Sequence, residues 1–260
     1  MHLIKYIILF LSISIFAQQE IDTKFIKKTP LYASLLVKFD DFGALFYTQE
    51  NTFVKSQNSK NTTYSNVQLG EITSANAYNS LKINVFYKDF NTVVVLDNRL
   101  AEITRIDFNI LSPFRNVTHV STGNDNTVWL FDQGTQQLEL YDYKNNNTRV
   151  QPLQPIEGEV LDLKSNYNFC WLLTKNHIYT YSYFGSLVTK EGNMGYTNIA
   201  ESNENLILLK DNRLFLKLKN DTEIRPIKLP ELLINQFFVT NETLYIYDNE
   251  YLHQYQLLIN

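Results

Sequence analysis

One pattern returns about every 40 residues along this chain, six times. It consists of an alternating apolar strand, a tight polar turn and a second alternating strand. The turns stand in Leu45–Thr52, Val93–Leu100, Val128–Gly134, Cys170–His177, Ile207–Leu214 and Leu244–Glu250. Taken from the last strand residue before each turn (48, 97, 132, 174, 211, 248), the steps are 49, 35, 42, 37 and 37. Period-two alternation bounded by Asp, Asn and Gly reads as strands joined by hairpins. All-β units at this spacing are the blades of a β-propeller, in which each unit buries its faces against its neighbours. The expected architecture is all-β, a six-bladed β-propeller, with five to seven blades compatible with the spacing. The strands are short, so a two-sheet sandwich is the competing arrangement; the regular Asp-Asn hairpins favour the propeller.

A blade is a four-stranded antiparallel sheet, strand A innermost and strand D outermost. Blade 1 is expected at Leu35–Phe39, Ala44–Thr48, Phe53–Ser56 and Thr62–Leu69. Blade 2 is expected at Ile83–Tyr87, Thr92–Leu96, Arg99–Thr104 and a short run near Ile106. Blades 3, 4 and 5 begin at Val117, Val160 and Tyr196. Blade 6 reads Gln236–Val239, Thr243–Tyr247 and Tyr251–Leu258, and there the chain ends one strand short. Phe25-Ile26-Lys27-Lys28-Thr29 is the candidate for the missing outer strand, which would close the ring; a disordered leader is the alternative. Pro230–Ile234 could form one helical turn, and 109–116 and 152–158 are the longest candidate loops.

Ahead of the repeats stands Met1-His2-Leu3-Ile4-Lys5, an apolar run from Tyr6 to Phe16, then Ala17-Gln18-Gln19. A cationic start, a short apolar run and a small residue before a polar break describe a secretory signal peptide. The expected division is a signal peptide at 1–17 and one propeller domain at 18–260, with the cut uncertain because Ile15 is large for its position. An uncleaved anchor or a buried helix is the other reading, but a comfortable membrane span needs about 20 apolar residues. The single cysteine, Cys170, excludes an internal disulfide and does not follow the cleavage site, where a lipid anchor would need it. Net charge is −4, which gives no electrostatic case for nucleic acid or anionic lipid. Asn-x-Thr triplets at Asn61, Asn116, Asn146, Asn220 and Asn241 read as Asn-rich turn chemistry.

Catalytic and metal-binding patterns are missing. Past the leader, His119, His177 and His253 fall at an inner strand, a hairpin turn and a third strand, and a metal site needs converging ligands. Cys170 lies in an apolar strand and reads as a buried thiol. Asp40-Asp41 is the only adjacent Asp pair, and its place between strands A and B makes it a turn before it makes it a glycosidase pair. Gly-x-Ser-x-Gly, His-Glu-x-x-His and Gly-x-x-x-x-Gly-Lys are absent. No cofactor and no metal is expected. The aromatics Tyr141, Tyr143, Tyr179, Tyr181, Tyr183, Phe184, Tyr245, Tyr247, Tyr251 and Tyr255 offer three readings: a protein-contact rim, sugar-stacking platforms, or packing between blades.

The hairpin Asp40-Asp41-Phe42-Gly43-Ala44-Leu45-Phe46-Tyr47, with returns such as Asn241-Glu242-Thr243-Leu244-Tyr245-Ile246-Tyr247-Asp248, resembles exported β-propellers of Bacteroidetes. It is also similar to propeller repeats of sensor ectodomains and of accessory proteins of the type IX secretion system in that phylum. The Asn-, Lys-, Ile- and Tyr-rich composition and the Ala-Gln leader end agree with such a source. The resemblance implies an envelope location and a binding role, and no functional residue is carried over from it. The first expectation is a non-catalytic periplasmic scaffold that binds protein as a subunit of an outer-membrane secretion or assembly complex. The second is a carbohydrate-binding or hydrolytic propeller with its site at the central channel mouth, where Asp41, Asn124 and Asn203 are the candidates.

Overall fold

A computed structural model of the chain describes residues 20–219 and 221–259; the leader read at 1–17 lies outside them. The chain is all-β, a six-bladed propeller. It opens with β1 (Thr23–Pro30). Blade 1 follows as β2 (Leu35–Phe39), β3 (Leu45–Gln49), β4 (Thr52–Gln57) and β5 (Lys60–Ser65). Blade 2 is β6 (Ser74–Asn76), β7 (Ile83–Tyr87), β8 (Thr92–Leu96) and β9 (Glu102–Asp107). Blade 3 is β10 (Val117–Thr122), β11 (Thr127–Asp132), β12 (Gln137–Asp142) and β13 (Asn147–Val150). Blade 4 is β14 (Val160–Ser165), β15 (Phe169–Thr174), β16 (His177–Ser182) and β17 (Leu187–Gly192). Blade 5 is β18 (Asn198–Ser202), β19 (Asn205–Lys210), β20 (Arg213–Lys217) and β21 (Ile224–Pro226). Blade 6 is β22 (Gln236–Thr240), β23 (Thr243–Tyr247) and β24 (Tyr251–Leu257), with β1 antiparallel on its outer edge.

Blade 6 is therefore closed by the N-terminal strand, as the missing fourth strand predicts. Ile21, just ahead of β1, is buried between blades 5 and 6, where its N–H donates to Pro226 O at 2.9 Å and its carbonyl accepts from Lys228 N at 2.9 Å. The alternative of a disordered leader is wrong for these residues.

Blade 2 departs from expectation by one strand. The runs Ile83–Tyr87 and Thr92–Leu96 are strands B and C, and strand A is the three-residue β6. Both runs are buried on both faces, between blades 1 and 3, so they read as continuous apolar segments. An innermost strand turns one face to the channel, and Ser74-Ala75-Asn76 carries little apolar pattern. The turn at Asp97 is thus the C–D turn of its blade. The ends of the B strands (49, 87, 132, 174, 210, 247) give steps of 38, 45, 42, 36 and 37, a more even period than the sequence suggests. Residues 230–234 form no helix; among the described residues the helical content is a single 3-10 turn at Lys88–Phe90.

The core is divided into wedges. Six apolar clusters fill the six gaps between neighbouring blades, and Trp129, Phe46 and Phe53 are among the fully buried side chains. Each such burial stabilises by about 1.5–3 kcal/mol, so adhesion between blades holds the ring. Tyr141, Tyr179, Tyr181, Tyr245, Tyr247 and Tyr255 belong to these clusters. Of the three readings of the aromatics, packing between blades is the one they follow, while Phe184 stands in solvent.

Turn chemistry is local and repetitive. Asp40 Oδ1 accepts from the N–H groups of Phe42 and Ala44, and Asp248 Oδ1 from those of Glu250 and Tyr251. Asn203 and Glu204 both have positive φ, +52° and +65°, as a two-residue hairpin of the primed type requires.

Candidate functional site

The inner strands of the six blades surround a central channel with a cavity volume of about 1030 Å³. Its two mouths differ in construction. One is ringed by the A–B turns, the other by the starts of the A strands and the connections that lead into them.

The A–B mouth gathers charge. Lys38 on β2 reaches over the ring of Tyr78, with its ammonium 5.2 Å from the ring centroid and 3.5 Å from the Tyr78 carbonyl oxygen. Tyr78 meets Tyr167, which belongs to the A–B turn of blade 4, edge to face at 5.0 Å between centroids. Two turns from non-adjacent blades therefore touch across the mouth. Glu201 on β18 accepts from Asn166 Nδ2 at 3.1 Å and from Glu204 N at 2.9 Å. Burial pushes the Glu201 carboxyl above its ordinary range, against the pull of the two hydrogen bonds and of Lys38. Burial likewise lowers Lys38, against the pull of Asp41, Asp40 and Glu201. A lysine and a glutamate displaced in opposite directions within one cavity make this mouth the candidate site.

The three residues expected at this mouth are placed there as turn residues. Asp41 accepts from Asn241 Nδ2 at 3.0 Å, which links the A–B turns of blades 1 and 6. Asn124 donates to Tyr167 O at 3.4 Å, and its own Oδ1 is buried with no partner among the described residues. Asn203 supplies the positive φ of its hairpin and lines the cavity, as does Asp41, while Asn124 stands outside the lining. Sequence reasoning missed Lys38, Tyr78, Tyr167 and Glu201. The available signal was a charged residue on an innermost strand, which has no outer face on which to be solvated except the channel.

Toward the other mouth, the channel holds His119 on β10, with Asp162 and Lys164 on β14. Lys164 pairs with Asp162 at 2.6 Å, and Asp162 Oδ2 also accepts from Ile199 N at 3.0 Å. His119 Nδ1 lies 3.0 Å from Thr118 Oγ1. Desolvation lowers the His119 pKa to about 4, Asp162 opposing and Lys164 and Lys88 assisting. A group at that value is mostly unprotonated near neutrality and is a poor general base there. The native state binds fewer protons than the unfolded chain between about pH 6.5 and 4, so this residue's contribution is complete above the upper value and lost as pH falls through the window. We expect His119→Gln to remove a pH-dependent stability loss on the order of 2–3 kcal/mol, read as the difference between urea midpoints at pH 7 and pH 4 in the two proteins. Equal pH dependence in both would refute the buried, neutral imidazole.

The other two histidines lie on the blades. His253 Nε2 is 2.7 Å from Asp248 Oδ2, and His177 Nδ1 is 3.5 Å from the Tyr179 hydroxyl. Cys170 is fully buried and its thiol is raised well above the ordinary value by desolvation, which leaves it a poor nucleophile. Among the described residues, no three His, Cys, Asp or Glu side chains converge on one point, and no helix is long and apolar enough to cross a membrane.

Solved structures of the same architecture span most of this chain. A streptogramin B lyase superposes with a TM-score of 0.65 at 12% identity, over 90% of this chain and 88% of that one. The likeness is one of fold. A chain of the mitotic checkpoint complex gives 0.58 at 11%, over 93% and 98%. BamB from Moraxella catarrhalis gives 0.51 at 13%, over 88% and 72%. No protein-family model and no curated protein sequence matches the chain. The propeller architecture thus occurs in a lyase and in a multiprotein assembly alike, and residues must decide the function.

The connections that lead from each blade to the next provide such residues. They lie on the face opposite the A–B turns, and each carries an exposed large apolar side chain: Tyr32, Val67, Ile110 and Phe114, Leu153, Met194 and Leu233. Exposure runs from 55% at Leu233 to 99% at Leu153. Phe90, in the neighbouring B–C turn of blade 2, joins them. The A–B turns of blades 3, 5 and 6 are polar (Asn124-Asp125-Asn126, Asn203-Glu204, Asn241-Glu242), while those of blades 1 and 2 expose Phe42 and Leu81, so that face has apolar residues in some turns and not in a full ring.

Proposed function

We propose that the protein is a non-catalytic periplasmic β-propeller that docks protein through the face bearing the inter-blade connections. In this reading it is an accessory subunit of an outer-membrane secretion or assembly complex of a Bacteroidetes cell. The observation that carries it is the presence of an exposed apolar residue in every one of the six connections. Single exposed apolar residues on a protein surface are ordinary; a set repeated in all six connections of one face supports a docking role for that face. Rigid blades hold such a face in fixed shape, which lowers the ordering cost of binding. The leader expected at residues 1–17 supports an exported protein that meets its partner in the envelope.

The test is affinity capture of the tagged protein, at its native level, from gently solubilised envelopes. The wild type should recover an outer-membrane complex in stoichiometric amount. The variant Val67→Ser/Leu153→Ser/Met194→Ser/Leu233→Ser should lose that partner at least about tenfold. Its stability should hardly move, because exposed substitutions away from special features change stability by about 0.5 kcal/mol or less. A wild-type protein recovered alone from the soluble fraction would refute the reading.

A further inference from the structure

The A–B mouth faces away from the apolar ring, and its side chains are not accounted for by protein docking. Lys38 has three N–H donors and, among the described residues, a single long contact to the Tyr78 carbonyl oxygen, with no carboxylate in ion-pair distance. Glu201 takes both of its donors, from Asn166 and from Glu204, on one oxygen, and among the described residues the other oxygen has no donor. One side of the mouth therefore offers donors and the other offers an acceptor. The rings of Tyr78 and Tyr167 meet in the lining of the same cavity, with the Lys38 ammonium over one face of Tyr78.

We propose that this mouth binds a neutral, polyhydroxylated ligand, a mono- or disaccharide unit, held between Lys38 and Glu201 and packed on Tyr78.

Three considerations select that class. The charged groups lining the channel are Lys38, Lys88 and Lys164 against Asp41, Asp162, Glu201 and Glu204, so neither sign dominates and no field draws in an ion. A carboxylate ligand would satisfy Lys38 and be opposed by Glu201 and Asp41; an ammonium ligand would meet the reverse. A sugar hydroxyl both donates and accepts, so adjacent hydroxyls serve Lys38 and Glu201 at once. The C–H face of a pyranose is apolar and packs on an aromatic ring, which Tyr78 presents while 38% exposed. The cavity of about 1030 Å³ is ample for one or two sugar units. No bond is made or broken in this proposal: Asp41 is committed to Asn241, and no second carboxylate is set opposite Glu201 as an activated base.

The experiment is saturation-transfer difference NMR followed by calorimetry on the folded protein. Glucose, galactose, N-acetylglucosamine, maltose and cellobiose serve as probes at up to ~10 mM, with sodium acetate and glycylglycine as charged comparisons. At least one saccharide should give difference signals, and its affinity should fall about tenfold or more in Lys38→Met, Glu201→Gln and Tyr78→Ala. Tyr78 sits in a partly exposed turn, so Tyr78→Ala tests the site even if a channel variant fails to fold. The Val67→Ser/Leu153→Ser protein, altered on the opposite face, should bind as wild type does, which keeps this result separate from the docking test. Silence from all five saccharides overturns the proposal. So does binding unaffected by the three channel substitutions, or a charged probe that binds more tightly than every sugar.

Discussion

Deleting residues 20–30 should lower the thermal midpoint by about 10–20 °C and drive self-association beyond that of the intact protein. The deletion removes β1, whose ladder with β24 pairs seven residues from Thr23↔Leu257 to Pro30↔Tyr251. It also removes the Phe25–Tyr255 edge contact at 5.5 Å and the Lys28 ammonium over Tyr251 at 4.4 Å. The largest single loss is Ile21, 3% exposed in the core between blades 5 and 6. Its burial stabilises by about 1.5–3 kcal/mol, and each ladder hydrogen bond adds about 0.5–1.5 kcal/mol net. Even after the entropy of ordering the segment is set against these, a loss on the order of 5 kcal/mol is expected, and in a chain of this size 1 kcal/mol moves the midpoint by about 2–4 °C. The bare edge of β24 then offers unpaired N–H and C=O groups to another chain. Differential scanning fluorimetry and size-exclusion chromatography read both effects. A peptide spanning 20–32, added in trans, should restore part of the midpoint. A shift below about 3 °C with an unchanged elution volume would mean that β1 rests on a ring already closed without it.

That closure was legible because it is a matter of counting: the sequence offers three strands for blade 6, and one stretch ahead of blade 1, Phe25–Thr29, has no blade of its own. The B–C hairpins were legible for a different reason. Strands such as Val128–Phe131 are buried on both faces and bounded by Asp and Asn, which gives them the strongest local pattern in the chain. The same physics hid β6. A strand whose inner face lines a channel needs no apolar alternation, and Ser74-Ala75-Asn76 resembles a loop. The site was harder still. Lys38 stands in Leu35-Leu36-Val37-Lys38-Phe39 as any solvent-facing residue of a strand would, and nothing local tells that its outer face looks toward Glu201, 163 positions away. Asp41 and Asn203 were found because turn residues declare themselves, and they mark the mouth without carrying its displaced charges. The apolar ring was invisible for the converse reason: Val67 or Leu153 alone is an unremarked loop residue, and only the propeller geometry sets six connections on one face.

One of those connections is fixed by a buried ion pair, and its removal should be costly in one form and nearly free in another. Arg115 precedes β10, and its side chain is 5% exposed; Glu139 on β12 is 7% exposed. Arg115 Nε donates to Glu139 Oε2 at 3.0 Å, Nη1 to Pro113 O at 2.9 Å and Nη2 to Thr148 Oγ1 at 2.9 Å. The Thr148 hydroxyl donates in turn to Glu139 at 2.7 Å, and the guanidinium lies 5.0 Å from the Tyr141 ring centroid. Replacing only the acid, as in Glu139→Gln, leaves a buried cation without its counter-charge, which costs about 3–5 kcal/mol. Replacing both, as in Arg115→Met/Glu139→Leu, removes the desolvation of two ions together with their attraction, and such exchanges are commonly neutral or stabilising. Urea unfolding of Arg115→Met, Glu139→Leu and the double that combines them should therefore give a coupling energy of several kcal/mol, with m unchanged so that the native compactness is the same. A Glu139→Gln cost under about 1 kcal/mol would show that water reaches the pair. The double variant also separates stability from placement. It keeps the core filled but loses the Arg115 bond to Pro113, and with it the tether that holds Phe114 on the docking face. If that face works as proposed, this stable protein should capture its partner less well than wild type, because an anchor that must be ordered on binding contributes less than one already fixed.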